Sequence, residues 1–200
     1  MDKTPYPSFA YIGRLKPYKN VDVAMKALAI ISQKYPETKL LIAGKGESEA
    51  HLRKLAQELG VSSQTEFLGY VTNRKRARLL AESWASLQPS SFEGWGITVI
   101  EANAARTPVI ASNIKGLKDS VVDGRTGLLV PERNEKVMAK AMVGLIEYAD
   151  FRKEVSKNAY EWSKNFSWDK SAKEFLKVMF RVIETDREIV FVRKLALAEN

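Results

Sequence analysis

The sequence predicts a doubly wound α/β domain: a Rossmann-like, mostly parallel sheet of about six strands, helices on both faces, and C-terminal helices alone at the end. Three observations predict it. Short runs rich in β-branched and aromatic residues recur between residues 8 and 130, and segments with apolar residues at helical spacing separate them. After residue 134 only helical periodicity remains. Strands separated by helices pair in parallel through right-handed crossovers, which places helices on both faces. At 200 residues, 45% of them hydrophobic, the chain is expected to form one domain, 1–200, around a single core.

Strands are expected at 8–12 (SFAYI), 39–43 (KLLIA), 65–68 (TEFL), 85–88 (ASLQ), 108–111 (PVIA) and 127–130 (GLLV). The first helix lies within 20–35, with Asn20 as its N-cap and Val21, Ala24, Leu28 and Ile31 on one face. Val23, Ala27 and Ile30 widen that face, as a helix lying on a sheet requires. Helices follow at 48–59, closed by Gly60, at 73–83 and at 97–105. The segment 113–125 is too polar and glycine-broken for more than a short helical turn, while 134–148, 151–165 and 168–185 have helical period. The tail, 186–200, has no clear motif and would extend the last helix, dock on a partner domain or lie disordered.

A formal net charge of +8 favours anionic partners: nucleotides, phosphates, nucleic acid or an acidic membrane surface. The absence of cysteine excludes disulfides, thiolate catalysis and cysteine-based metal sites, and the one histidine, His51, excludes a multi-histidine site. The opening MDKTPYPSFAYIGRL lacks the pattern of a signal peptide, and no apolar run approaches the roughly 20 residues that cross a bilayer. A soluble, cytoplasmic protein is expected.

Ligands of doubly wound sheets bind beyond the carboxyl ends of the strands, near the switch in strand order, so the residues that directly follow strands are the informative ones. After the first strand, GRLKPYKN presents Arg14 and Lys19, with Gly13 allowing a close turn. Two cations on one short loop would hold a diphosphate, or would be ordinary solvated charges. After the second strand, AGKGESEAHL imitates a dinucleotide fingerprint. Glu49 takes the place of its third glycine, however, and the pattern follows the wrong strand for a nicotinamide or flavin enzyme. Gly44 and Gly46 would form a tight loop at a pocket edge or a plain turn, and His51 reads as a surface residue.

After the fourth strand comes SSFEGWGITVIEANA, residues 90–104. Gly94 and Gly96 let the backbone approach a ligand, and a helix starting at Ile97 aims free N–H groups at an anion. Glu93 on the strand-end loop and Glu101 one turn inside that helix would face one cavity. Alternatively Glu93 caps the turn and Glu101 is an ordinary surface residue, or the two act as a hydrolytic acid and nucleophile. The apolar neighbours Val99, Ile100 and Ala102 mean that the Glu101 carboxylate needs a partner or a polar cavity.

GRLKPYKN, LLIAGKGE, FLGYV, PSSFEGWGITVIEANA, TPVIAS and VVDGRTGLLV, in this order, resemble the nucleotide-sugar-binding half of retaining glycosyltransferases of the GT-B fold, family 4. The most specific element is the E-x7-E pattern from Glu93 to Glu101. The resemblance implies that Arg14 and Lys19 bind the donor diphosphate and stabilise the departing nucleotide. It implies that Glu101 binds the ribose hydroxyls, that Glu93 stands near the donor sugar, and that Gly94, Trp95, Gly96, Ile97 and Thr98 form the turn that meets sugar and phosphate. Tyr70 and Val71 match the segment that lies against the base. The implied donor is a UDP-, GDP- or ADP-sugar, with no metal or other cofactor required. The implied partner is an N-terminal acceptor-binding domain of similar size, which this chain does not include. Arg106 and Lys115 stand where the family has glycine.

In NRKRARLLAES the cations Arg74, Lys75, Arg76 and Arg78 share one helix, by default as a solvated face. The alternatives are contact with the base, or a peripheral contact with the inner face of the membrane if the acceptor is a lipid. FSW near the end fits the family's last helices, which cross back toward the acceptor domain, and this would leave Tyr160, Trp162, Phe166, Trp168 or Phe175 partly exposed. Two functions stay open: glycosyl transfer through this donor domain, and a nucleotide-sugar-binding or interaction module without transfer activity of its own. Nucleic acid is not an expected partner.

Overall fold

The computed structural model describes residues 2–198, with side chains described to residue 184; Glu199, Asn200 and the side chains of the tail lie outside the described residues. The chain forms two compact units, Met1–Ser163 and Lys164–Asn200. In the first unit, strands β1 (Ser8–Ile12), β2 (Lys39–Ala43), β3 (Thr65–Gly69), β4 (Ala85–Gln88), β5 (Val109–Ser112) and β6 (Gly127–Val130) form one sheet. The order is β3-β2-β1-β4-β5-β6, with every pairing parallel. This is the doubly wound Rossmann-like fold expected. The fifth strand runs one residue later than the sequence suggests, because Pro108 has no N–H to give to the ladder.

Helices α1 (Val21–Ile31), α2 (Glu49–Glu58) and α6 (Glu135–Glu147) pack on one face, where Phe9, Tyr11, Leu40, Ile42, Leu87 and Ile110 are buried. The alternate residues Ala10 and Ile12 point to the other face, toward α3 (Asn73–Glu82), α4 (Ile97–Ala104) and the single turn α5 (Leu117–Ser120). Burial on both faces explains why the central strands read as continuous apolar runs. Helix α1 stops at Ile31 rather than 35: a residue before proline disfavours the helical region, and the Ile31 carbonyl accepts from both Lys34 N–H at 3.1 Å and Tyr35 N–H at 2.9 Å as the chain turns out of the helix. Helix α7 (Ala149–Ser163) completes the first unit, and α8 (Trp168–Ala198) forms the second, carrying the helix through most of the tail. Trp168 and Phe175 are exposed and Tyr160, Trp162 and Phe166 half-buried.

Ahead of β1, Lys3 donates to the Ser83 carbonyl at 2.7 Å and to Thr107 Oγ1 at 2.6 Å, fastening the N-terminal segment to the residues before β4 and β5. Burial, then the charge of Arg152, lowers its pKa to about 8. The unfolded chain keeps this proton up to its ordinary pKa of 10.5, so between these two values the unfolded state binds more protons and stability rises with pH. Below about 8 both states are protonated and the charged Lys3 exerts its full penalty. Urea denaturation across this window is expected to show a midpoint that climbs relative to Lys3→Met. Parallel pH profiles for the two proteins would refute this assignment.

Candidate functional site

Strands β1 and β4 are neighbours in the sheet although β2 and β3 lie between them in sequence, so the loops that follow them meet at the carboxyl end, at the switch in strand order. They are fastened together. The Ser91 N–H donates to the Tyr18 carbonyl at 2.8 Å, and the Asn20 amide donates to the Pro89 carbonyl at 3.0 Å and to Ser91 Oγ at 2.6 Å. The Lys19 ammonium pairs with the Glu93 carboxylate, both side chains mostly buried.

Asn20 occupies the N-cap position of α1, but its side chain caps nothing. A 3-10 turn, Pro17–Lys19, delivers the chain into Asn20 in a left-handed conformation (φ 49°, ψ 40°), and its amide reaches the β4 loop instead. Asparagine tolerates that conformation better than most residues. The expectation that Asn20 caps the helix is therefore corrected, and a joining role that the sequence did not reveal replaces it.

Glycines define the backbone of this end. A Cβ at Gly13 would stand 2.8 Å from the Tyr11 hydroxyl, which itself donates to the Arg14 carbonyl at 2.9 Å. Burial first, and then the negative charge of Glu93, raises the Tyr11 pKa, keeping this hydroxyl a donor. Gly44 and Gly46 form more than a plain turn: a Cβ would fall 1.8 Å from the Gly13 carbonyl oxygen or 2.2 Å from that of Leu15. Gly94 and Gly96 differ from each other. Gly96 has φ 81° and begins α4, whereas Gly94 is exposed, with nothing within 4 Å of where its Cβ would be.

Arg14 is exposed, its guanidinium 3.5 Å from the Tyr18 hydroxyl. Helix α4 begins at the half-exposed Ile97 and Thr98, and the first N–H groups of a helix lack i−4 partners. The exposed ring of Phe92 adjoins Glu93 and was not singled out from the sequence. Tyr70 is exposed on the loop after β3, while Val71 is half-buried against the α3 and α4 side of the sheet.

Glu101 is not an ordinary surface residue. Arg76 Nη2 contacts one carboxylate oxygen at 2.9 Å, and the other oxygen is buried without a hydrogen-bond partner. Arg74, Lys75 and Arg78 are exposed as the charge run suggested, but helical spacing turns Arg76 inward toward α4. His51 is exposed and lines a separate cleft of about 560 Å³ with Lys16, Asp22, Lys26, Glu47 and Arg133, where two ion pairs already satisfy four of the charges. None of Arg14, Lys19, Glu93 or Glu101 lines it.

Residues 2–162 match the family model of glycosyl transferases group 1. The chain belongs to that family. This glycosyltransferase-family chain is similar to D-inositol 3-phosphate glycosyltransferase 2 of Catenulispora acidiphila, with 32% identity over 188 residues that cover 90% of the chain and 44% of the relative. Sucrose-phosphate synthase of Thermosynechococcus elongatus superposes with a TM-score of 0.83 at 26% identity, covering 90% of this chain and 46% of that one. A structure of Anabaena HepE in complex with UDP-glucose superposes with a TM-score of 0.81 at 22% identity, covering 88% and 49%, a likeness of fold. The chain thus spans less than half the length of these relatives.

Two positions in this glycosyltransferase chain replace expected glycines without losing the turns. Arg106 adopts φ 59°, a strain of roughly 1–2 kcal/mol for a residue with a Cβ, and its guanidinium stacks 4.0 Å from the Tyr160 ring centre. Beside Lys115, Gly116 has φ 93° and approaches so closely that a Cβ would lie 2.2 Å from the Glu93 carbonyl oxygen.

Replacement of Asn20 tests the joining of the loops. Asn20→Gly keeps the left-handed backbone and removes only the amide bonds, whereas Asn20→Ala also strains the backbone. Denaturant melts should show a loss of about 1–3 kcal/mol for glycine and about 1 kcal/mol more for alanine. Wild-type stability in both variants would contradict the role given to this amide.

Proposed function

We propose that the chain is the donor-binding half of a retaining, family 4 glycosyltransferase, which binds a nucleotide-diphosphate sugar and supports hexosyl transfer to an acceptor on an N-terminal domain. The observation that carries this reading is the fastened pair of loops, which holds Lys19 and Glu93 in contact beside Arg14 and the start of α4. Cleavage of a glycosyl–phosphate bond produces an oxocarbenium-like sugar and a diphosphate, and fixed donors lower the barrier by meeting the charge on that leaving group. The planar fork of Arg14 suits phosphate oxygens. Lys19 has three N–H donors, so it can keep Glu93 and still reach the diphosphate. The first N–H groups of α4, at Ile97 and Thr98, would meet the same charge. With these groups in place the transfer would need no metal or other cofactor.

Glu93, oriented by Lys19, would face the sugar, and the open side of Gly94 would let the turn through Trp95 and Gly96 approach it. Glu101 would take the ribose hydroxyls, sharing or exchanging the oxygen that Arg76 holds. Tyr70 and Val71 would lie against the base. The UDP-glucose complex of HepE makes UDP the first base to test, ahead of GDP and ADP. Among the described residues no helix is long and apolar enough to cross a membrane. A cytoplasmic enzyme with a lipid acceptor would meet the inner face of the bilayer through Arg74, Lys75 and Arg78.

Calorimetric titration with UDP, GDP and ADP is expected to show saturable binding of at least one. Arg14→Ala, Lys19→Ala and Glu101→Ala should each weaken it about tenfold or more, the effect of losing a charge-assisted hydrogen bond. A folded chain that binds none of the three would overturn the reading. Glu93→Gln should hold UDP within about threefold of wild type but lose any additional affinity for UDP-glucose, since this carboxylate is assigned to the sugar. A variant that binds both ligands as wild type does would remove Glu93 from that role.

A further inference from the structure

At the opposite end of the sheet a second cleft, about 430 Å³, opens among residues that precede strands: Lys3 before β1, the end of α3 before β4, and Arg106 before β5. Helix α7 closes it with Arg152, Lys153, Ser156 and Lys157. The rest of its lining is alanine, so five cations face one space that no acid lines. Of the five, Lys153 alone has an acidic partner among the described residues, Asp150, at 3.4 Å on the exposed side of α7.

Three of the five cations are held in place, and the exposed Lys153 and Lys157 flank them on α7. The Arg152 guanidinium lies 3.7 Å from the Trp84 ring centre and that of Arg106 lies 4.0 Å from Tyr160, while Lys3 is anchored by Ser83 and Thr107. Stacking leaves the in-plane N–H groups of the Arg106 guanidinium available, whereas Arg152 Nη1 already donates to the Leu145 and Ile146 carbonyls and only Nε and Nη2 of its fork are left for a ligand. Holding these cations here costs stability: burial lowers the pKa of Arg152, and burial first and then the charge of Arg152 lowers that of Lys3. Fixed like charges without a counter-charge fit a missing anion better than a solvated face, whose side chains would spread apart.

We propose that this cleft is a second binding site, separate from the donor loops, for a small ligand bearing one or two phosphate groups. Its volume suits a small molecule. Paired arginines suit the planar, bidentate recognition of phosphate oxygens.

Inorganic pyrophosphate is the probe, read by two-dimensional amide NMR of the full chain at physiological salt. Signals of residues 105–107 and 152–157 are expected to shift saturably, both in the wild type and in the Arg14→Ala/Lys19→Ala double variant. Lys153→Gln/Lys157→Gln replaces two exposed residues, should leave the melting temperature unchanged, and should weaken binding about tenfold or more. Arg152→Lys keeps the charge but loses the fork, and should weaken it as well. The proposal is overturned if those signals fail to saturate, if they respond only while Arg14 and Lys19 are intact, or if the Lys153→Gln/Lys157→Gln variant binds as wild type does. Binding of phosphatidylglycerol vesicles or single-stranded DNA here, undisturbed by pyrophosphate, would overturn it in favour of a macromolecular surface. Signals of residues 13–19 and 93–98 report on the donor loops separately, so either reading can fail alone.

Discussion

One side-chain amide joins the two loops at the carboxyl end of the sheet on which the proposed site depends. Asn20 leaves its own helix uncapped and spans to the loop after β4, and the Lys19–Glu93 ion pair forms beside that link. Each cation and carboxylate proposed to meet the donor hangs on backbone that this link fixes or that a neighbouring glycine fits. A ligand arriving there would find loops already in position, and would spend less of its binding energy on ordering them. A left-handed asparagine is tolerated because the chain recovers two hydrogen bonds, one of them fully buried, in exchange.

Charge is distributed unequally between the two ends of the sheet. At the carboxyl end Lys19 has Glu93 and Arg76 has Glu101, so a ligand enters a site whose ionic bonds are already made and must share them. At the amino end the cations have aromatic rings and backbone carbonyls for company, and Lys3 loses basicity through burial first and then through its neighbour Arg152. The cations of the two ends thus differ in company: acids hold Lys19 and Arg76, whereas rings and carbonyls hold Lys3, Arg106 and Arg152.

Much of the fold was legible because parallel strands buried on both faces announce themselves as short apolar runs, and the helices between them keep one clear stripe. Boundaries shifted where proline intervened, at Pro36 and Pro108, because a missing N–H or a restricted neighbour decides the last residue of an element. The glycine turn and the two glutamates could be read from their place after β4. Arg76 could not, since three of the four cations in its run do face water and only the docking of α3 beside α4 turns the other inward. Asn20 was read by its usual local habit, capping, and the long-range partner that displaced that habit leaves no trace in spacing. The amino-end cleft draws Lys3, Arg106 and α7 from three distant stretches, so no window of sequence contains it.

Gly44, Gly46 and Gly116 each stand where a methyl group would strike the main chain of a loop bearing proposed ligand residues. Those loops are therefore shaped in part by contacts between backbones, alongside the Asn20 amide and the Lys19–Glu93 pair that fasten them. Such an arrangement separates part of the cradle's form from its chemistry. Under the proposed function, donor preference would drift through exchange of exposed side chains such as Arg14, whereas any residue larger than glycine at these three points would disturb the frame whatever ligand it holds.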